Sequence, residues 1–295
     1  MAIPQVSPRI SLKNILFATD FTSASDAALP YAAALADWYG AKVVVAHAVS
    51  PEPMLEVPMD VTPRDIDFSW QNAEKKMAAF LARDPLHGVP AETALQQGQL
   101  WDVLCKVIHD RSIDLVVVGT HGRAGLRKIA LGSVAEEVIR RAPCPVLTVG
   151  PHALHQAGSF EKWKCILFAT DFSAGSLNAL PYALSFAEEN QARLIIVHEI
   201  PLVPVQEQES VRENTRKRLE FLFPPDASEW CTPEFIVGFD FAGEGILRIA
   251  EQRGADLIVM GVHATSSPWV SAHMPWAVAH EIICEARCPV MTVRG

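Results

Sequence analysis

Apolar residues in this chain fall into short unbroken runs, set apart by longer stretches with helical spacing. In the first 150 residues the pattern predicts a strand at 14–18 and a helix at 23–39, with Pro30 kinking or tightening it. It continues with a strand at 42–49, a Pro- and Met-containing connection at 50–63 and a helix at 65–81. A short strand at 92–96, a helix at 100–111 and a strand at 114–118 follow, then a helix over 134–141 and a last strand at 146–149. Runs apolar at every position, such as Leu-Val-Val-Val at 115–118, suit strands covered on both faces. Strands alternating with helices imply a parallel sheet with right-handed crossovers. Ligands of such sheets sit outside the strand carboxyl ends, where the strand order reverses.

The pattern occurs twice. Residues 13–49 and 164–200 align without a gap, and by direct count 17 of 37 positions are identical, against roughly two expected from average residue usage. Lys13 and Lys164 each open a segment that ends in Ile-Leu-Phe-Ala-Thr-Asp-Phe, reaching Asp20 and Asp171. The ends match as well, with Ala142-Pro-Cys144-Pro-Val against Ala286-Arg-Cys288-Pro-Val. The chain is therefore expected to be α/β, as two tandem Rossmann-like domains over 1–150 and 160–295. Each is expected to hold a five-stranded, mostly parallel sheet sandwiched by helices, with the join near Gly150 to Lys162.

Composition narrows the function. Net charge is −9 over 295 residues, which argues against a general nucleic-acid binder. The stretch from Met1 to Lys13 has no apolar core of signal length, and no apolar run reaches membrane-spanning length. A cytoplasmic protein without a membrane partner is expected. Six cysteines without C-x2-C pairs point to neither a disulfide framework nor a metal site.

Candidate chemistry centres on Gly119-Thr-His121-Gly122, nine residues, then Gly132-Ser133. The order is strand, glycine-rich loop, helix. Glycines allow close backbone approach, and a helix start offers free N–H groups and a positive dipole end. Ser133 is placed to cap that helix and to donate its hydroxyl to a phosphate. Arg123, Arg127 and Lys128 lie in the loop and supply positive charge. The spacing is neither G-x-x-x-x-G-K-[ST] nor G-x-G-x-x-G. Asp20, His47-Ala48-Val49 and Gly119 all fall at expected strand carboxyl ends. The pattern G-x2-G-x9-G-[ST] after a late strand resembles the nucleotide-binding motif of the universal stress protein family, and the resemblance extends over nearly the whole chain as two consecutive copies.

The resemblance implies an adenine nucleotide alpha hydrolase-like fold and a site for ATP, ADP or AMP, with Mg²⁺ accompanying the phosphates. Carried onto this sequence, its site comprises Ala18, Thr19, Asp20, Ala48, Val49, Gly119, His121, Gly122, Arg123, Gly132, Ser133 and Val134. Asp20 would meet sugar hydroxyls or the adenine amino group, although an Asp there also suits capping of the next turn. His47 and His198 read as hydrogen-bonded structural residues. Ser133, His121 and Asp20 supply the residue types of a hydrolytic triad, but nothing in the sequence orders them, so no catalytic residue is assigned and any ATP hydrolysis is expected to be slow. A nucleotide-responsive stress factor is expected; a binding or assembly module that uses no nucleotide is the alternative.

The second copy departs from the motif. Gly261-Val-His263-Ala264 loses the second glycine, and Trp276-Ala277 stand where the first copy has Gly132-Ser133. Its loop contains no Arg or Lys. It is expected to have lost triphosphate binding and to serve as scaffold and internal dimer partner, the two final strands pairing about a pseudo-two-fold axis. Two such chains can form a further homodimer.

Overall fold

The structure is a computed structural model and describes residues 9–49, 63–120, 131–153, 160–224, 227, 231–262 and 275–295. Its first copy contains β1 (Asn14–Ala18), α1 (Ser23–Asp26), α2 (Leu29–Tyr39), β2 (Lys42–Val49), α3 (Pro63–Leu81), β3 (Ala91–Gln97), α4 (Leu100–Asp110), β4 (Leu115–Gly119), α5 (Ser133–Arg141) and β5 (Val146–Val149). The second contains β6 (Cys165–Ala169), α6 (Ala174–Asn190), β7 (Arg193–Glu199), α7 (Gln208–Leu222), β8 (Glu234–Gly238), α8 (Ala242–Arg253), β9 (Leu257–Val262), α9 (Pro275–Glu285) and β10 (Val290–Arg294).

All ten strands form one sheet in the order β3-β2-β1-β4-β5-β10-β9-β6-β7-β8. The described pairings are parallel except at the centre, where β5 meets β10 antiparallel with Leu147 opposite Met291. The final strands of the two copies thus lie side by side, and neither is left as an open edge. Sequence order reverses between β1 and β4, and again between β6 and β9. These interior strands carry helices on both faces, which is why their apolar runs do not alternate.

Both cores cross the central seam. On one face Phe17, Leu35 and Leu147 share a buried cluster with Phe168, Phe186 and Met291. Trp163, fully buried, lies 4.8 Å from Phe186 and 5.4 Å from Trp38 between ring centroids, so the chain entering the second copy is packed by both. The opposite face holds a second continuous cluster built on α4, α5, α8 and α9.

Pro30 does more than kink its helix. The expected helix at 23–39 is split into α1 and α2, with Ala28 N–H turning back to Ser25 O (3.0 Å) and Pro30 in the first turn of α2. At the equivalent place Pro181 sits inside an unbroken α6. Sequence alone does not separate these outcomes, because a proline is compatible with either a helix start or a helix interior that gives up one bond.

Candidate functional site

The carboxyl ends of β1, β2 and β4 stand side by side, since Ala18 pairs with both Ala46 and Val118. Ala18, Asp20, Ala48, Val49 and Gly119 are half-buried along this rim, while Thr19 and Thr120 are buried. Thr19 N–H continues the ladder to Ala46 O (3.0 Å), and Thr120 N–H donates to Val149 O (3.0 Å). The strand pairings therefore bring together Ala18, Thr19, Asp20, Ala48, Val49 and Gly119 from distant parts of the sequence. His121, Gly122, Arg123, Arg127 and Lys128 lie outside the described residues.

The turn after β1 is built by its own side chains. Asp20 Oδ1 accepts Thr22 N–H (3.0 Å) and the Thr22 hydroxyl (2.6 Å), and Thr22 in turn caps α1 through Ser25 N–H. Phe21 takes a left-handed backbone at φ 61°, and its ring packs at a tilt against His47, 4.4 Å between centroids. His47 Nδ1 lies 2.8 Å from Thr19 O, consistent with a structural histidine. The second copy repeats every part. Asp171 Oδ1 accepts the N–H (2.9 Å) and hydroxyl of Ser173, and Phe172 also has φ 61°. His198 Nδ1 lies 2.7 Å from Thr170 O, and burial pushes its imidazole below the ordinary value. This turn accounts for the retention of Asp171 in a copy that lost the second glycine of the motif. The signal that would have revealed the turn was the repeated Thr-Asp-Phe-[Thr/Ser] itself, with an Asx-type bond two residues on.

Gly261, the first motif glycine retained in the second copy, has a packing reason as well. A Cβ there would run into the backbone of Gly175 and Ser176 at the start of α6. Gly119 holds the matching place on β4.

The helix start differs from expectation. Gly132, in extended conformation at φ −60° and ψ 142°, is the N-cap of α5, and as a glycine it has no side chain with which to cap the helix. Ser133 is the first helical residue, one position too late to cap it, and Val134 follows. The first-turn N–H groups of α5 have no partner within the helix. Because α5 leaves β4 and returns to the parallel β5, this helix start faces the same rim as Asp20 and Ala48. At the corresponding position of the second copy, Trp276 lies under the guanidinium of Arg140 from α5, 4.9 Å from the ring centroid.

The second copy has a buried carboxyl that sequence reading missed. Glu199 stands in place of Ala48 and is only 9% exposed. Its Oε2 accepts Asp240 N–H (3.1 Å), while Oε1 is buried without a hydrogen-bond partner. Burial, set against the Asp240 N–H bond, pushes it up to about 7. A Cβ at Gly238 or Gly245 would overlap its carboxyl group. The glycines at these positions were the available signal. Among the described residues, no group of His, Cys, Asp and Glu could hold a metal ion, and no helix is long and apolar enough to cross a membrane.

The duplicated architecture has counterparts among known proteins. A structure from Archaeoglobus fulgidus, described as a universal stress protein, superposes with a TM-score of 0.69 over 95% of this chain and 98% of that one, at 18% identity, and so shares the fold. A universal stress protein from Mycolicibacterium smegmatis is 24% identical over 295 residues, covering 95% of this chain and 97% of the relative. One from Thermus aquaticus, named for its place in the QAH/OAS sulfhydrylase 3' region, is 35% identical over 144 residues, or 46% of this chain and 98% of the relative. The sequence profile of the universal stress protein family matches residues 11–150 and again 162–294. Two matches in tandem, laid over one sheet with a duplicated Thr-Asp-Phe turn, make this chain a member of the universal stress protein family.

Proposed function

We propose that the first copy, residues 1–150, binds an adenine nucleotide, ATP or its di- or monophosphate, and that the protein acts as a nucleotide-responsive stress factor. The observation that carries this reading is the start of α5. It presents a glycine N-cap with no capping side chain, at the strand carboxyl ends beside the β1/β4 reversal. Such a start suits a phosphate, through its N–H groups and the helix dipole. Ala48 and Val49 offer backbone and small apolar surface for the base. Asp20 faces the sugar with a carboxylate already shaped by Thr22. Mg²⁺ would accompany the phosphates rather than sit in a site of its own.

The second copy, residues 160–295, is proposed to bind no triphosphate, because Trp276 fills the place of Gly132. Hydrolysis is proposed to lie far below the roughly 10 s⁻¹ of an ordinary enzyme, since no base or nucleophile is assigned.

One observation favours the module without a nucleotide. The Asp20 turn and the close packing at Gly261 explain two motif residues with no ligand at all. Titration calorimetry with ATP separates the readings. One site per chain is expected, lost in Gly132→Trp with the unfolding midpoint little changed. Two equal sites, or none, would overturn the proposal.

A further inference from the structure

On the second copy's side the sheet ends at β8, which among the described strands pairs with β7 alone. Two hydrogen bonds fix the direction of its backbone groups. Ile200 N–H donates to Gly238 O (3.0 Å), so Gly238 turns its carbonyl towards the β7 side. Arg212 of α7 donates to Val237 O (2.8 Å), so the preceding carbonyl faces the open side. By alternation, Val237 N–H and both backbone groups of Phe235 face outward as well. Outward groups of this kind are a template for another strand.

Arginines reach this edge from both faces of the sheet. Leu219 of α7 and Val237 belong to one buried cluster, whereas Ile246 and Ile249 of α8 belong to the other. Arg253 of α8 pairs with Glu234 at 2.6 Å, and Arg248 of α8 pairs with Asp240 at 2.5 Å. Between them, Arg212 of α7 bonds Val237 O and lies 4.8 Å over the Phe239 ring. The anchor positions 234, 237 and 240 are three residues apart, a step of about 10 Å along a strand. A step of three also changes the face of a strand, and the arginines come from α8, α7 and α8 in turn. Each guanidinium has five N–H donors, more than these bonds use.

The three arginines line a groove of about 460 Å³, in which Asp240 is the one acidic lining residue among the described ones. The groove is therefore cationic in a chain whose net charge is −9. Charges on an edge keep other strands away. Charges of one sign do so selectively, since a strand of the opposite sign is drawn in. Past the carboxyl ends of β7 and β8 the surface turns apolar, with Leu202 83%, Val205 80% and Phe241 60% exposed. A small anion has no use for an open strand edge or for these side chains, whereas a peptide uses both.

We propose that the β8 edge binds an extended acidic peptide as an added strand, its carboxylates three residues apart opposite Arg253, Arg212 and Arg248. Main-chain bonds to Phe235 and Val237 hold the peptide, and the arginines select its charge and spacing. The surface lies at the far edge of the sheet from the first copy and needs no nucleotide there.

The probe is a labelled peptide capped at both ends, Leu-Glu-Val-Thr-Glu-Val-Thr-Glu-Leu, titrated into the full chain by fluorescence anisotropy. A leucine at each end reaches the apolar surface whichever way the strand runs. Two controls use the same wild-type protein: the peptide with Gln for Glu, and Leu-Glu-Val-Glu-Val-Glu-Thr-Thr-Leu, which places the same three carboxylates on one face. Each is expected to bind roughly tenfold more weakly, the size of one lost charge-assisted hydrogen bond. Arg212→Gln should weaken the first peptide by a similar factor. Amide exchange at Val237 should slow when that peptide is bound. Equal binding of all three peptides, or unchanged exchange at Val237, overturns the proposal. Displacement by inorganic phosphate beyond that by sodium chloride at equal ionic strength would make the groove a simple anion site and overturn it too. So would a dimer, seen by sedimentation, that dissociates as peptide is added, because a second copy of the chain would then hold the edge.

Discussion

The two copies solve the end of their second strand in opposite ways. The first has Ala48 there, with Gln96 across the pair and Trp101 and Val103 on the following helix. The second has Glu199, with Gly238 across the pair and Gly245 on the helix making room for its carboxyl group, while Gly243 makes room for Glu281. In the second copy the large side chain sits among glycines. The backbone pairing is the same in both copies, since Ala48 lies opposite Gln96 and Glu199 opposite Gly238. Chemistry is not kept. The first copy leaves half-buried apolar surface at the rim, whereas the second has drawn a carboxyl into its core. The comparison teaches that the second copy changed its interior as well as its glycine loop.

Where the copies agree, the expected effect of mutation is largest. Gly261 is held by backbone rather than by a side chain that could swing away. Gly261→Val should cost about 4 kcal/mol in urea unfolding, at the upper end of overpacking effects. A variant as stable as wild type would mean that α6 does not approach β9 as described, and that the glycine is kept for another reason.

Glu199 gives the next effect. Its folded value is raised to about 7 from an ordinary 4.5, so the folded state holds its proton more tightly than the unfolded one. Stability from this group is full below about pH 4.5, falls as pH rises to about 7, and stays low above that. The charged groups facing it are Asp240, which raises it further, and Arg248, which lowers it. Glu199→Gln should gain roughly 3 kcal/mol over wild type at pH 8 and little at pH 4.5. A gain of the same size at both pH values would show that packing, not charge, sets the effect. The first copy, with Ala48, has no counterpart to this dependence.

The smallest effect belongs to a contact found in the first copy alone. Arg141 lies 4.7 Å over the Trp101 ring and pairs with Glu137 at 2.6 Å, while the second copy has Glu285 and Gly243 at those places. Arg141→Met should cost about 1 kcal/mol, the sum expected of an exposed cation–π contact and one helix ion pair. Combined with Trp101→Ala, the two losses should not add, and a simple sum would remove the coupling between them.

Much of this was readable in the sequence. The interior strands announced themselves because apolar runs of four or five residues have few other uses, and the repeat placed the seam at Val146–Val149 and Val290–Val293. What the sequence left open shares one cause: side chains whose partners are chosen by the tertiary fold. Asp20 reads equally as a ligand or a turn former until Thr22 is seen closing the turn. Pro30 and Pro181 look alike yet only one splits its helix. Ser133 looked like a cap, but the extended backbone of Gly132 took that position. Glu199 passed unnoticed because its cradle is assembled from β8 and α8, about forty residues further along.

The seam between β5 and β10 has one more consequence. Where two identical chains meet about a two-fold axis, every residue must suit the image of its own partner, so a change on one side is imposed on the other. Joining the copies in one chain lifts that requirement. Arg140 can face a tryptophan of the other copy while its counterpart, Cys284, lies beside His280 of its own helix, and neither arrangement needs to work in reverse. The antiparallel strand pairing keeps the geometry of a symmetric dimer, while the residues above it are free to divide the tasks of holding and being held.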